Sequence, residues 1–101
     1  MDIEELEKLL GGPRDGALLR LTLGRLYLQK GAASEAIGQL RAAVNMDSGF
    51  TAAWRELGRA LAKAGHDNEA ADAYRRGIEV ATTRGDKQAE KEMRVFLRRL
   101  E

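Results

Sequence analysis

A shift of 34 residues lays one part of this chain on another. "LTLGRLYLQKGAASEAIGQL" (21–40) falls on "RELGRALAKAGHDNEAADAY" (55–74) without a gap. Identities stand at Leu23/Leu57, Gly24/Gly58, Arg25/Arg59, Gly31/Gly65, Glu35/Glu69, Ala36/Ala70 and Arg41/Arg75. Leu40/Tyr74 and Val44/Ile78 match in kind. This defines two units, 17–50 and 51–84. A repeat of this length is one supersecondary unit that buries its apolar face only by stacking on a neighbour.

Each unit reads as two helices. Leu19, Leu23, Leu26 and Tyr27 keep the i, i+3, i+4 rhythm of one helical face. Gly31 is placed to stop that helix, because glycine accepts the left-handed backbone at helix ends. Ser34, and Asp67 or Asn68 in the second unit, are candidate caps for the next helix. That helix runs on Ala36, Ile37, Leu40, Ala43 and Val44, and its repeat on Ala70, Tyr74 and Ile78. Gly24 and Gly58 lie inside helices, where glycine costs about 1 kcal/mol relative to alanine. A cost repeated in register predicts close approach of a neighbouring helix backbone. One Pro, few β-branched residues and no cysteine favour helix and exclude disulfides, Fe–S clusters and thiolate zinc sites.

In these residues the chain resembles the tetratricopeptide-repeat family, whose signature is W-x2-L-G-x2-Y, then A-x3-F, then Pro. The second unit has Trp54, Leu57, Gly58 and Leu61, with Ala70 and Tyr74 at the right offsets. The first has Arg20 for the Trp but keeps Leu23, Gly24, Tyr27, Ala36 and Leu40. Ser48 and Thr82 stand where the closing Pro belongs, which predicts less rigid turns between units. The resemblance implies an all-α fold, a short right-handed α-solenoid. Residues 2–10 occupy the place of a preceding unit's second helix, a truncated N-terminal cap with Leu6, Leu9 and Leu10 inward and Asp2 and Glu5 as a capping box. Residues 86–100 read as a C-terminal capping helix. In strict register its core positions would be Gln88, Lys91, Glu92 and Val95, mostly polar, and a shift of one residue restores Ala89, Met93 and Phe96. That predicts a longer turn at 82–86. The whole chain, 1–101, is one domain.

The charge is +1 overall but uneven: residues 1–16 hold two bases and five acids, and the rest is mildly basic. So small a net charge does not draw the chain to nucleic acid or membrane. The acidic start lacks a signal pattern and no apolar run reaches the roughly 20 residues of a membrane span, so a soluble cytoplasmic protein is expected.

Candidate chemistry is sparse. His66 is the only histidine and has no partners for a metal or a nucleophile; it reads as an exposed turn residue. Trp54 reads as a wedge between helices rather than a ligand platform. Glu69, Asp72 and Glu79 read as a solvated face with Arg75 and Arg76 rather than hydrolytic carboxylates. No enzyme, metal or cofactor is expected.

What the resemblance implies is binding. In that family the first helices line a concave groove that holds a peptide or helix of a partner. By that analogy the groove positions are Leu21, Arg25, Leu28 and Gln29, then Arg55, Arg59, Ala62 and Lys63. Arg55, Arg59 and Lys63 are four apart and share a helix face. The groove is expected to be basic, with an apolar patch at Leu21 and Leu28, and to suit an acidic or amphipathic segment of another protein. Some family members clamp a partner's C-terminal carboxylate with Lys and Asn; the Asn pair is missing here. A terminal helix covering the groove is a further option. The alternative function is self-association, a homodimer through Met93, Phe96 or the N-terminal leucines. Nucleic-acid binding through Arg84, Arg94, Arg98 and Arg99 is opposed by the interleaved Glu90, Glu92 and Glu101.

Overall fold

The computed structural model describes residues 2–101. It contains six helices and, among those residues, no strand: α1 (Ile3–Glu7), α2 (Ala17–Gln29), α3 (Ala33–Met46), α4 (Thr51–Lys63), α5 (Asp67–Arg84) and α6 (Lys87–Leu100). Helices α2/α3 and α4/α5 are the two hairpins, and α6 follows as a third first-type helix. None of the helices is long and apolar enough to cross a membrane.

Gly31 and Gly65 end α2 and α4 with φ of +84° and +83°. The next amide then reaches back five residues: Ala32 N–H donates to the Tyr27 carbonyl at 2.8 Å and His66 N–H to that of Leu61 at 2.9 Å. This double-bonded end satisfies the last carbonyls and turns the chain at once. The following helix starts with Ala32 and His66 as its N-caps, neither bonding through its side chain. Ser34, Asp67 and Asn68 are therefore inside the helices and do not cap them. The glycine turn leaves one residue at the cap position, and there Ala32 has no polar side chain and His66 makes no cap bond. At the N-terminus Asp2 does cap, accepting the Glu5 N–H at 2.9 Å, but the α-helix stops at Glu7 and continues to Leu10 only as tighter turns.

The inter-unit turn at 47–50 is pinned without proline. Asp47 Oδ1 accepts the Gly49 N–H at 3.1 Å, and the Ser48 carbonyl accepts Trp54 Nε1–H at 2.8 Å. Thr82, at the other expected proline position, is inside α5.

Both helix glycines have a packing reason, but the intruder is a side chain, not a backbone. A Cβ on Gly24 would lie 2.5 Å from the Leu40 side chain, and one on Gly58 would lie 2.5 Å from the Tyr74 ring. The pairs 24/40 and 58/74 are the same contact one unit apart. Tyr74 is 3% exposed and also meets the Phe96 ring, 5.6 Å between centroids. Burial pushes its hydroxyl up to about 12.

The C-terminal register differs from expectation. α5 runs four residues past the point that matches the end of α3, and only Gly85 and Asp86 separate it from α6. The extra length is a turn of helix, not a longer loop. α4 starts at Thr51 and α6 at Lys87, so the true offset is 36 residues. At that offset buried Ala53 matches buried Ala89, and buried Leu57 matches buried Met93. Met93 fills the space over Gly77, where a Cβ would lie 2.5 Å from its sulfur.

The core runs through the array, with Leu23, Leu40 and Met93 its largest fully buried side chains. The direction of bending follows from which helices meet. α2 touches α4 and α4 touches α6, whereas no Cα of α3 lies within 8 Å of one of α5. The first-type helices α2, α4 and α6 therefore form the inner, concave side.

Candidate functional site

The inner side between α2 and α4 opens into a cleft of about 420 Å³ lined by Arg25, Leu28, Gln29, Glu56, Arg59 and Lys63. Five of the eight groove residues named from the sequence are among these. The other three are placed differently. Leu21 is only 2% exposed and belongs to the core cluster. Ala62 is half-buried and packs against the same cluster. Arg55 faces the other way, toward α6.

The expected apolar patch is absent. Leu21 is internal, and Leu28, 6% exposed, shows only an edge to the cleft. At equivalent places in the two units a leucine turns inward to fill the core whereas an arginine keeps its head in water.

The basic stripe is partly answered from within. Glu56, the one charged residue among the buried set, sits on the same helix and its side chain is 5% exposed. Both its carboxylate oxygens accept from Arg59 Nη1, at 3.1 and 3.0 Å. Arg55 Nε lies 3.7 Å from Glu56 and its Nη1 lies 3.5 Å from Glu92 on α6. A buried carboxylate needs such partners, since an unpaired one costs several kcal/mol, on the order of 3–5. Arg59 and Arg55 are thus structural partners first. Among the described residues, Arg25 and Lys63 carry no ion pair, and both are exposed.

Glu56 is the site residue that the sequence reading passed over. Its signal was the three-residue spacing to Arg59, which puts the two on one helix face.

The final helix borders the groove rather than filling it. α6 meets α4 through the Arg55–Glu92 contact, and the cleft between α2 and α4 stays open. The apolar residues considered for self-association are largely used inside the chain: Met93 is 0% and Leu6 8% exposed, and Phe96 packs on Tyr74.

The remaining polar residues have local explanations. Trp54 packs its Cβ against Gly77, donates to Ser48, and carries the Arg76 guanidinium 5.2 Å from its ring centroid. Arg20, in the first unit's Trp position, forks onto Asp15 at 3.0 and 2.8 Å and reaches Gln39 at 3.3 Å. The Arg20 guanidinium, with the Gly11 N–H, holds the Asp15 carboxyl down to about 2. His66 is exposed, with Nδ1 3.6 Å from Glu69. Glu69 is also paired with Arg41, whose guanidinium lowers it further below the usual carboxylate range than His66 does. Asp72 pairs with Arg75 at 3.0 Å. Among the described residues no three of His, Asp and Glu converge to hold a metal ion.

Known proteins bear on this arrangement. The family model of the bacterial transcriptional activator domain matches residues 16–100. A curated relative, a TPR repeat-containing protein of Pseudomonas aeruginosa, is 48% identical over 101 residues, covering 100% of this chain and 96% of that one. The solution structure of a Bordetella parapertussis protein superposes with a TM-score of 0.84 at 40% identity, covering 99% of this chain and 87% of that one. The solution structure of a tetratricopeptide repeat domain protein from Salinibacter ruber gives 0.79 at 26% identity, covering 88% and 89%. With two glycine-turned hairpins in register and a bent inner face, the chain belongs to the tetratricopeptide-repeat proteins, its repeats and last helix falling within the related bacterial transcriptional activator domain family.

Proposed function

We propose that this protein is an interaction module that receives an acidic or amphipathic segment of another protein on its inner face, between α2 and α4. Tetratricopeptide repeats serve generally as protein-binding modules. The observation that carries the reading is the pair of exposed, uncompensated cations, Arg25 and Lys63, on opposite walls of a 420 Å³ cleft whose only acid is already held by Arg59. Such a cleft orients a partner's carboxylates by charge, and its shallow walls bury part of the segment's length.

The test reverses Arg25 and Lys63 to glutamate together and leaves Arg55 and Arg59 alone, because removing those would leave the buried Glu56 without a partner. Affinity capture should lose specific partners with this variant while circular dichroism shows an unchanged fold. Capture of the same partners by the reversed protein would defeat the groove assignment.

A further inference from the structure

We propose that the turn between the two units and the outer helix α5 form a second site, which binds the phosphate group of a small hydroxylated monoester. A cavity of about 460 Å³ lies between Ser48 and Gly49 of that turn and Arg76, Glu79, Val80 and Arg84 of α5. It is larger than the inner cleft, and none of its lining residues stands on an inner helix. The site therefore does not depend on the groove.

Two guanidinium groups carry the argument. Neither Arg76 nor Arg84 has an ion pair among the described residues, although Glu79 follows Arg76 by one helical turn. Each rests instead on an uncharged surface. The Arg76 guanidinium lies 5.2 Å from the Trp54 ring centroid, and Trp54 is itself bound to the Ser48 carbonyl. Arg84 lies across Gly49, where a Cβ would be 2.7 Å from its Nη2. Both cations are thus set against adjacent residues of one turn. Asp47, the acid of that turn, accepts the Gly49 N–H at 3.1 Å and does not line the cavity.

Two uncompensated guanidinium groups on one hollow match a dianion, and the planar fork of arginine suits phosphate oxygens. The exposed Ser48 hydroxyl adds a neutral donor. α4 begins at Thr51, directly after the turn, so the positive end of its dipole adds to the same field. The remaining polar groups select the body of the ligand. Thr83, which also lines the cavity, donates its hydroxyl proton to the Glu79 carbonyl at 3.0 Å, so its oxygen is left as an acceptor. The Glu79 carboxylate only accepts. Acceptors beside a phosphate site receive hydroxyl protons and repel a second anionic group. This describes a monoester with free hydroxyls rather than a polyanion.

Trp54 is the only tryptophan and lies beneath Arg76, so its fluorescence reports occupancy, together with the amide shifts of Ser48 and Gly49. The full chain is titrated with inorganic phosphate, ethyl phosphate and β-glycerophosphate at constant ionic strength. All three should bind, β-glycerophosphate tightest. R84Q should weaken each by about tenfold. G49A keeps both arginines, and Gly49 has no positive φ, so the fold is retained; its Cβ displaces the Arg84 head and should weaken binding severalfold. K30Q removes an equal charge just beyond α2, no Cα of which lies within 8 Å of α5, and should change nothing. Three results would overturn the site: no saturable change at Ser48, Gly49 or Trp54, equal losses in K30Q and R84Q, or full affinity in G49A. Equal affinity for ethyl phosphate and β-glycerophosphate would overturn the hydroxylated ligand.

Discussion

Helices α4 and α6 occupy successive places in one array but carry different side chains at matching positions. The difference is concentrated on the face that would receive a following helix. In α4 that face has Gly58, and its missing Cβ admits the Tyr74 ring. At the matching position α6 has Arg94, tied to Glu90 at 3.1 Å. An arginine there leaves no cavity for an aromatic residue and keeps a charged pair in water instead. This one position separates a face packed by an aromatic ring from one that keeps an ion pair in water.

The comparison breaks most sharply at Gly58. Gly58→Ala would place a Cβ 2.5 Å from the ring of Tyr74, which is buried and packed on Phe96. Overpacking of this kind costs about 1–3 kcal/mol, more than the helix propensity gained. Chemical denaturation should show the midpoint falling with little change in slope. Gly38→Ala is the control: its Cβ would meet nothing within 4 Å, so it should stabilise α3 by roughly 0.5–1 kcal/mol. A stabilised Gly58→Ala protein would mean that the ring is not clamped against α4.

Much of this was legible beforehand. The 34-residue identity exposed the hairpins, because Gly24 with Leu40 and Gly58 with Tyr74 are one contact made twice. The C-terminal register was not legible to the residue. Thr82, Thr83 and Arg84 are polar and read equally as turn or as an exposed last turn of helix. Apolar spacing in α6 alone accepts an offset of 35 or 36, and only the start of the helix at Lys87 separates them. The site was half legible. Periodicity says which residues share a face, but one residue is about 100° of rotation. Family analogy puts Leu21 at a groove position, but the leucine side chain turns into the core. Burial of Glu56 was hidden for another reason: hydropathy places acids outside, and only a three-dimensional neighbour such as Arg59 makes an inner position tolerable.

A smaller effect sharpens the contrast between the starts of the two units. Trp54 fastens the second to its turn by a neutral hydrogen bond, whereas Arg20 fastens the first by an ion pair to Asp15. Asp15 is held at about 2, below its ordinary 3.8, so its folded form favours the charged state. The stabilisation is full above pH 3.8 and is lost as the pH falls toward 2. On acid titration followed by amide exchange, the segment 11–20 should loosen before the turn 47–54. Simultaneous loosening would show that the Asp15 fork does not hold the first unit's entry.

The smallest effect expected is at Arg94, and its smallness tests the contrast between the matching faces of α4 and α6. Arg94→Ala removes the ion pair to Glu90, but Arg94 is 54% exposed in its side chain and the pair is screened by water. Exposed i, i+4 pairs contribute about 0.3–0.5 kcal/mol, and alanine regains part of this through helix propensity. Stability measured by urea denaturation should stay within about 0.5 kcal/mol of the unaltered protein. The same final residue thus has unlike consequences at matching positions: Ala at 58 collides with a second-type helix, and Ala at 94 meets none. A loss at Arg94→Ala comparable to that at Gly58→Ala would mean that this face of α6 is packed, and the equivalence of the two helices would have to be redrawn.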